Sequence, residues 1–226
     1  MGKLFVIEGT DGSGKQTQLT LLKDSLREKG IDFEEVSFPN YDSESSSLVK
    51  MYLRGDFGDD PKAISPYIAS TFYAADRYAT FKKGLMDYYN NGGIIIADRY
   101  TTANMVHQAG KIKDKAERKK FLDWLYEFEF GLYKLPKPDK VFFLNMPTEK
   151  ALELMKDREN KFTHESQKDI HEKNPEHLKE SYEAACDLVK DYDWKEIKCV
   201  KDDKIRTRED IHNEIWSEVE KELQKN

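Results

Sequence analysis

The stretch "GTDGSGKQT", residues 9–17, decides how the rest of the sequence is interpreted. Gly9, Gly14 and Lys15 occupy the positions that a phosphate-binding loop of the pattern G-x-x-x-x-G-K-[ST] requires. The pattern ends on Ser or Thr, whose hydroxyl normally holds Mg²⁺, but here that position is Gln16. The stretch therefore predicts a nucleotide phosphate site, and it leaves open whether the site reacts or only binds.

The segments on either side of this stretch favour a working phosphate loop. "LFVIEG" (4–9) is typical of a buried strand, and after the loop Leu19, Leu22 and Leu26 recur at helical spacing. A strand, a glycine-rich turn and a helix together point backbone N–H groups and the positive helix end at phosphate oxygens. None of these groups depends on the side chain at position 16.

Short apolar runs alternate with longer amphipathic segments along the chain. Further strands are predicted at 33–39, 93–100, 139–147 and 195–200. A long helix is predicted over 64–93 with Ser65 as its N-cap, and a last helix from Thr207. This alternation predicts an α/β fold with a five-stranded parallel sheet covered by helices on both faces. A length of 226 residues suits one domain, spanning 1–226.

Composition narrows the class of protein. The net charge of −6 argues against nucleic acid as the main partner, since such binding usually needs a basic face. No apolar run approaches the roughly 20 residues that span a bilayer, and the N-terminus lacks a secretory signal, so we expect a cytoplasmic protein without membrane contact. Cys186 and Cys199 are expected to be small buried hydrophobes. His164, His171 and His177 are expected on the surface, because their spacing does not suit zinc ligands.

Four segments, in order, resemble the thymidylate kinase family. They are "VIEGTDGSGKQTQ" (6–18), "FYAADRY" (72–78), "DRYTTANMVHQAG" (98–110) and "LPKPDKVFFLNMPTEKALELMKDR" (135–158). The resemblance covers nearly the whole chain. It implies a three-layer P-loop kinase with a mobile lid at about 155–172, and a homodimer. It also implies transfer of the γ-phosphate of ATP to dTMP, with Mg²⁺ as cofactor.

The resemblance assigns the donor side of the site to the loop. The residues expected to bind ATP are Gly9, Thr10, Asp11, Gly12, Ser13, Gly14, Lys15, Gln16 and Thr17. Lys15 is also expected to be catalytic. Asp98 follows a predicted buried strand, so its carboxylate is well placed to hold Mg²⁺ or its waters, together with Gln16.

The acceptor side is predicted from the second and third segments. Tyr73 and Arg77 lie at i and i+4 of a helix and share a face, where a ring can stack on a pyrimidine and a guanidinium can donate to its carbonyl. The family register favours Tyr73 over Phe72 for stacking, with Phe72 as wall or alternative. Arg99 is expected to clamp the acceptor phosphate. By resemblance, other residues lining the substrate are Asp11 at the 3′-hydroxyl, Asn104 and Gln108 at the base, and Tyr182 near the sugar.

Three positions depart from the family pattern. His107 stands where the family often has a tyrosine that disfavours a 2′-hydroxyl. Tyr41 follows Pro39 by two residues, where some members carry an arginine. Arg99, with Arg54 as a second candidate, must therefore supply more charge. Gly12 and Ser13 fill the loop where one branch has a catalytic arginine. Arg158 in the lid best matches the replacement, with Lys156, Lys161 and Lys168 nearby.

Rival functions remain open on these residues. A kinase for another nucleoside monophosphate, or for a deoxynucleoside, would use the same fold. A non-catalytic nucleotide-binding sensor is motivated by Gln16. A nucleic-acid-binding ATPase is a third alternative, against which the acidic balance argues.

Overall fold

A five-stranded parallel sheet forms the centre of the computed structural model, which describes residues 1–155, 170 and 174–225. The strands are β1 (Lys3–Glu8), β2 (Glu34–Ser37), β3 (Ile94–Asp98), β4 (Lys140–Asn145) and β5 (Lys195–Lys198). Their spatial order is β2-β3-β1-β4-β5, and every neighbouring pair is parallel. The predicted α/β class is confirmed. Because β1 is central, the loop that follows it opens at the middle of the sheet's carboxyl edge.

Helices connect the strands. They are α1 (Lys15–Glu28), α2 (Ser47–Arg54), α3 (Pro66–Thr80), α4 (Met86–Asn90), α5 (Thr101–His107), α6 (Lys115–Tyr126), α7 (Thr148–Met155), α8 (Pro175–Asp191) and α9 (Arg208–Leu223). A short antiparallel hairpin, β6 (Val200–Lys201) and β7 (Lys204–Ile205), lies between β5 and α9.

The two faces of β1 belong to two different cores. Leu4 and Val6 pack with apolar side chains of α5, α6 and α8 on one side of the sheet. Phe5 and Ile7 pack with α1 and α9 on the other side. Successive side chains of a strand point to opposite faces, so a continuous apolar run is the pattern of a strand covered on both sides. The result is the predicted three-layer arrangement.

The predicted long helix over 64–93 is interrupted. Its start is confirmed, since Ser65 Oγ accepts from the N–H of Ile68 at 3.3 Å and caps α3. After α3, a wide π-type turn covers Phe81–Leu85, and Gly84 has a φ of 132°. A glycine can adopt that backbone conformation because it has no Cβ. The chain then resumes as α4, which ends before Gly92.

The C-terminal prediction is confirmed at the cap. Thr207 Oγ1 accepts from the N–H of Asp210 at 3.1 Å, and α9 follows.

The two cysteines differ: Cys199 is buried as expected, whereas Cys186 is only half-buried. None of the helices in the described ranges is long and apolar enough to cross a membrane. Most of the predicted lid, 155–172, lies outside the described residues, and the single-domain boundary stays a prediction.

Candidate active site

The phosphate loop joins the end of β1 to the start of α1. Gly12 and Gly14 adopt left-handed conformations, with φ of 80° and 90°. The side chain of Lys15 is buried, and its Nζ donates to the carbonyls of Gly9 at 2.8 Å and Thr10 at 3.1 Å. The ammonium is thus held over the loop by backbone oxygens. Turns of this kind, at a helix N-terminus, present backbone N–H groups to anions.

Close packing excludes side chains from two glycines of the loop. A Cβ on Gly9 would lie 2.5 Å from Ser13 Oγ. A Cβ on Gly12 would lie 2.4 Å from the carbonyl oxygen of Ala151, in α7. The position where one family branch carries an arginine is therefore closed by α7 in this chain. Any further cation near the transferred phosphate must come from another segment.

Buried charges surround Lys15. Burial lowers the pKa of Lys15 to about 8, and the positive charge of Arg99 acts in the same direction. The carboxylates of Asp11, Asp98 and Glu8 oppose that decrease. Burial also raises the pKa of Glu8, which accepts from the N–H of Gly9 at 2.9 Å and from Thr102 Oγ1 at 2.6 Å. Glu8 therefore ties the loop to α5.

Arg99 lies where β3 ends, between the loop and α5. It adopts a left-handed conformation, with φ of 65°, and its N–H donates to the carbonyl of Ile7 at 3.1 Å. Such backbone strain in a non-glycine residue is often found at functional sites. Its guanidinium pairs with Asp11 of the loop and lies 3.0 Å from His107 Nε2. Burial opposes its charge, but Asp11, Glu8 and Asp98 raise the pKa of Arg99 above its ordinary value.

Arg77 is held by a carboxylate that the sequence did not reveal. Arg77 is buried, and Glu129 accepts from its Nε at 2.7 Å and from its Nη2 at 2.5 Å. Glu129 also accepts from Thr101 Oγ1 at 2.7 Å. It follows α6, inside the aromatic run at 124–133, where no motif distinguishes it from its neighbours. Arg77 is therefore half of a buried, bidentate ion pair.

Tyr73 and Phe72 of α3 pack against the same small core cluster but contact different aromatic rings. Tyr73 is half-buried and packs edge-on against Tyr52, with ring centroids 6.4 Å apart. Phe72 packs against Phe57, which is 36% exposed, at 5.8 Å. Tyr73 shares the face of Arg77, whereas Phe72 contacts the segment that follows α2. The stacking role of Tyr73, with Phe72 as the alternative, stays a prediction.

Two buried amide side chains lie on α5 and at its C-cap. Asn104 is buried and donates to the carbonyl of Ser70 at 3.3 Å and to Glu129 at 3.4 Å. Gln108 is buried as well, and its Oε1 has no hydrogen-bond partner among the described residues. An unpaired buried amide oxygen is costly and is therefore suited to accept a hydrogen bond from a ligand.

The structure contradicts the prediction for His177 and gives the contacts of two other predicted residues, Arg54 and Tyr182. His177, expected on the surface, is 1% exposed because the start of α8 packs against α5, and its ring centroid lies 5.8 Å from that of His107. Burial lowers the pKa of His177 to about 4. Arg54 makes an exposed ion pair with Asp56 at 2.6 Å. Tyr182 donates from its hydroxyl to Asn145 at 2.8 Å, at the end of β4.

The metal-binding prediction concerns Gln16 and Asp98. Gln16 is exposed in the first turn of α1, and Asp98 is buried beside the loop. Within the described ranges no cluster of three or more His, Cys, Asp or Glu residues could hold a metal ion alone. Arg158, Lys156, Lys161, Lys168, His164 and His171 lie outside the described residues.

A cavity of about 660 Å³ extends from the phosphate loop toward the C-terminal part of the chain. Met146, Leu154 and the segment 205–209 form its far wall. Gln18 fixes that segment by donating to the carbonyl of Arg208 at 3.1 Å. Sequence reasoning found the helix cap at Thr207 but missed that the same turn lines the nucleotide cavity.

A phosphate loop, buried polar side chains on α3 and α5, and an arginine next to the loop are the arrangement of a P-loop nucleoside monophosphate kinase. The family model described as thymidylate kinase matches residues 7–214. The chain belongs to the thymidylate kinase family, whose members are ATP-dependent phosphotransferases acting on dTMP.

Individual relatives agree with this assignment. A thymidylate kinase of Mycobacterium tuberculosis (strain ATCC 25618 / H37Rv) is 32% identical over 158 residues, which cover 69% of this chain and 71% of the relative. A thymidylate kinase of Plasmodium falciparum (isolate 3D7) is 27% identical over 221 residues, covering 97% of this chain and 90% of the relative. A solved thymidylate kinase from Candida albicans aligns with a TM-score of 0.72 and 22% identity, covering 97% and 92% of the two chains. That structural likeness supports the fold.

Proposed function

We propose that this chain transfers the γ-phosphate of ATP to dTMP, with Mg²⁺, and that the residues above perform the transfer. The observation that carries the proposal is the position of Arg99, which contacts Asp11 on the donor side and His107 on the acceptor side. A guanidinium at that position can bind the acceptor phosphate beside the phosphate that is transferred.

The transfer itself asks for positioning and positive charge more than for covalent chemistry. The acceptor phosphate oxygen is already anionic, so a strong general base is unnecessary. Lys15 and Arg99 stabilise the negative charge that develops on the transferred group. Tyr73 stacks on the base, Arg77 donates to its carbonyl, and Asn104 and Gln108 recognise its edge. Asp11 receives the sugar 3′-hydroxyl, with Tyr182 near the sugar.

The residues beside the loop fit Mg²⁺, which prefers oxygen ligands and usually keeps several waters. Asp98 offers a buried carboxylate next to the loop, and Gln16 offers a neutral carboxamide oxygen. We assign these two residues to the ion or its waters. Bound Mg²⁺ would supply further positive charge at the phosphates.

Arg158 remains our candidate for the additional cation. Its support is the closure of Gly12 by α7, which leaves no room for an arginine in the loop. Arg158→Ala should lower kcat far more than it weakens dTMP binding, as expected for an interaction made mainly in the transition state. An unchanged kcat would transfer the role to Lys161 or Lys168, or remove the lid from the mechanism.

A cytoplasmic homodimer is also part of the proposal. The homodimer is supported by a band of aromatic side chains on α3, on α6 and at the end of the helical segment Glu127–Leu132. In this band the centroid of Tyr67 lies 4.8 Å from that of Trp124, and Tyr78 lies 4.8 Å from Tyr133. Tyr67 and Tyr78 are each more than one third exposed. Light scattering after size-exclusion chromatography tests the dimer, and a monomer at high micromolar concentration contradicts it.

An ADP-release assay across dTMP, dUMP, UMP and thymidine tests the function. We expect Mg²⁺-dependent turnover that is fastest with dTMP. Faster turnover of another acceptor would assign the chain a different substrate. Binding of ATP and dTMP without dTDP at any Mg²⁺ concentration would favour the sensor alternative.

A further inference from the structure

The imidazole of His107 lies between the guanidinium of Arg99 and the hydroxyl of Ser181. Its Nε2 is 3.0 Å from Arg99 Nη1, and its Nδ1 is 3.2 Å from Ser181 Oγ. His107 is 4% exposed and Ser181 is fully buried. Both ring nitrogens therefore have a polar partner, one in the site and one on α8.

The chemistry of the partners assigns the tautomer. A guanidinium has only hydrogen-bond donors, so His107 Nε2 must accept and cannot carry a proton. The single proton of a neutral imidazole is then on Nδ1, which donates to Ser181 Oγ. Burial and the charge of Arg99 both lower the pKa of His107 well below its ordinary value, in agreement with a neutral ring.

A neutral acceptor has a particular effect on Arg99. The two carboxylate oxygens of Glu129 occupy two donors of Arg77 and neutralise its charge. His107 instead orients Arg99 through one donor and leaves the positive charge uncompensated from that side. Asp11 restrains the other arm of the guanidinium from the phosphate loop. Arg99 is thereby fixed between the two halves of the site while it stays able to bind an anion.

We propose that His107 is a positioning residue for Arg99, and that Ser181 of α8 fixes the imidazole for this task. The inference rests on the proposed function, because it requires Arg99 to bind the acceptor phosphate. It differs from the role that resemblance implies for position 107, which is to exclude a 2′-hydroxyl. A residue that excludes a sugar hydroxyl by shape does not need two hydrogen-bonded nitrogens.

The test compares His107→Phe, His107→Gln and Ser181→Ala by calorimetric binding of dTMP and by steady-state kinetics. His107→Phe removes the acceptor and should weaken dTMP binding about tenfold or more, the scale of a hydrogen bond to a charged group. His107→Gln keeps an acceptor oxygen and a donor, so it should stay within about threefold of the wild type. Ser181→Ala should weaken dTMP binding about threefold. The KM for ATP should change less than about twofold in all three.

Ser25→Ala is the matched control. Ser25 Oγ also bonds a histidine, His212, with 2.7 Å between Oγ and Nε2, but the pair lies between α1 and α9 on the other face of the sheet. This variant should bind dTMP as the wild type does. Thermal unfolding checks that each variant is folded. If His107→Phe does not fold, dTMP binding by Ser181→Ala still tests the inference.

Two outcomes overturn the inference alone. One is wild-type dTMP affinity in His107→Phe together with faster use of 5-methyluridine monophosphate, which would restore the role of excluding a 2′-hydroxyl. The other concerns the double variant, His107→Phe with Ser181→Ala. If Ser181 acts through His107, the double variant should bind dTMP about as weakly as His107→Phe alone. A loss of affinity equal to the product of the two single losses would show that the residues act independently and would overturn the inference. A wild-type chain that does not bind dTMP overturns the proposed function and this inference with it. A wild-type chain that binds dTMP without turnover overturns only the proposed function.

Discussion

In the phosphate loop the buried charges of Lys15 and Glu8 bond to backbone groups of the loop, whereas in the proposed acceptor pocket two buried charged side chains bond to each other. In the loop, Lys15 bonds two carbonyls and Gly12 packs directly under α7. In the pocket, Arg77 depends on Glu129, from a distant part of the chain. Backbone contacts survive many side-chain changes, but a buried charge that loses its partner is strongly destabilising. We therefore expect the acceptor half to be the less tolerant of substitution.

The largest effect is expected from Glu129→Ala. It leaves Arg77 charged and without its bidentate partner in a position that is 1% exposed. Breaking a buried pair in this way typically costs about 3–5 kcal/mol. The free energy of unfolding, measured in urea, should fall by that amount, and dTMP turnover should fall with it.

Glu127→Ala is the control for that experiment. Glu127 lies two residues earlier in the same helical segment and is exposed. Surface changes of this kind usually stay within about 0.5 kcal/mol. If the two variants lost equal stability, the acceptor half would not depend on its buried pair, and the contrast between the halves would fail.

The sequence predicts the phosphate loop better than the acceptor half, because the loop depends on neighbouring residues and the acceptor half depends on contacts between distant ones. A loop held by backbone groups leaves a local signature, because glycines and one lysine must recur at fixed spacing. The position of Arg77 on α3 is also local, since i and i+4 share a helix face. Its partner Glu129 is not local, and nothing in the run at 124–133 marks which acid turns inward. The burial of His177 was missed likewise, because it depends on how α8 packs against α5.

Tyr73→Ala tests the register of the acceptor half. Stacking of a base on an aromatic ring is typically worth about 1–3 kcal/mol. The KM for dTMP should rise accordingly, and the KM for ATP should stay close to the wild-type value. Phe72→Ala is the matched variant, since Phe72 packs against Phe57 rather than beside Arg77. A larger rise in the KM for dTMP with Phe72→Ala would shift the stacking residue by one position.

The pH dependence of ATP use tests the donor half. Burial lowers the pKa of Lys15 to about 8, so the ligand-free enzyme loses this positive charge as the pH rises through that value. Binding of ATP requires the charged form, so kcat/KM for ATP should fall about tenfold per pH unit above the pKa. If Lys15→Arg retains activity, its kcat/KM for ATP should not fall over this pH range, because a guanidinium stays protonated. A flat wild-type profile up to pH of about 10 would contradict the assignment.

The smallest effect is expected at Gln16, where the loop departs from its pattern. The loop contacts described above do not include the side chain of Gln16, which is exposed in the first turn of α1. Its carboxamide oxygen is a neutral, hard ligand, as a threonine hydroxyl is, on a longer arm. Gln16→Thr should therefore change kcat/KM less than about tenfold, or about 1.4 kcal/mol.

Gln16→Ala tests whether the side chain at position 16 contributes to Mg²⁺ binding, because it removes the carboxamide oxygen and keeps the helix. We expect it to raise the Mg²⁺ concentration needed for half-maximal rate. Thr20→Ala is the control one turn further along α1, where the hydroxyl donates to the carbonyl of Gln16 at 3.0 Å. If Gln16→Ala and Thr20→Ala both kept the wild-type Mg²⁺ response, the side chain at position 16 would face solvent only. On the donor side Asp98 would then be the remaining candidate ligand for Mg²⁺ beside the loop.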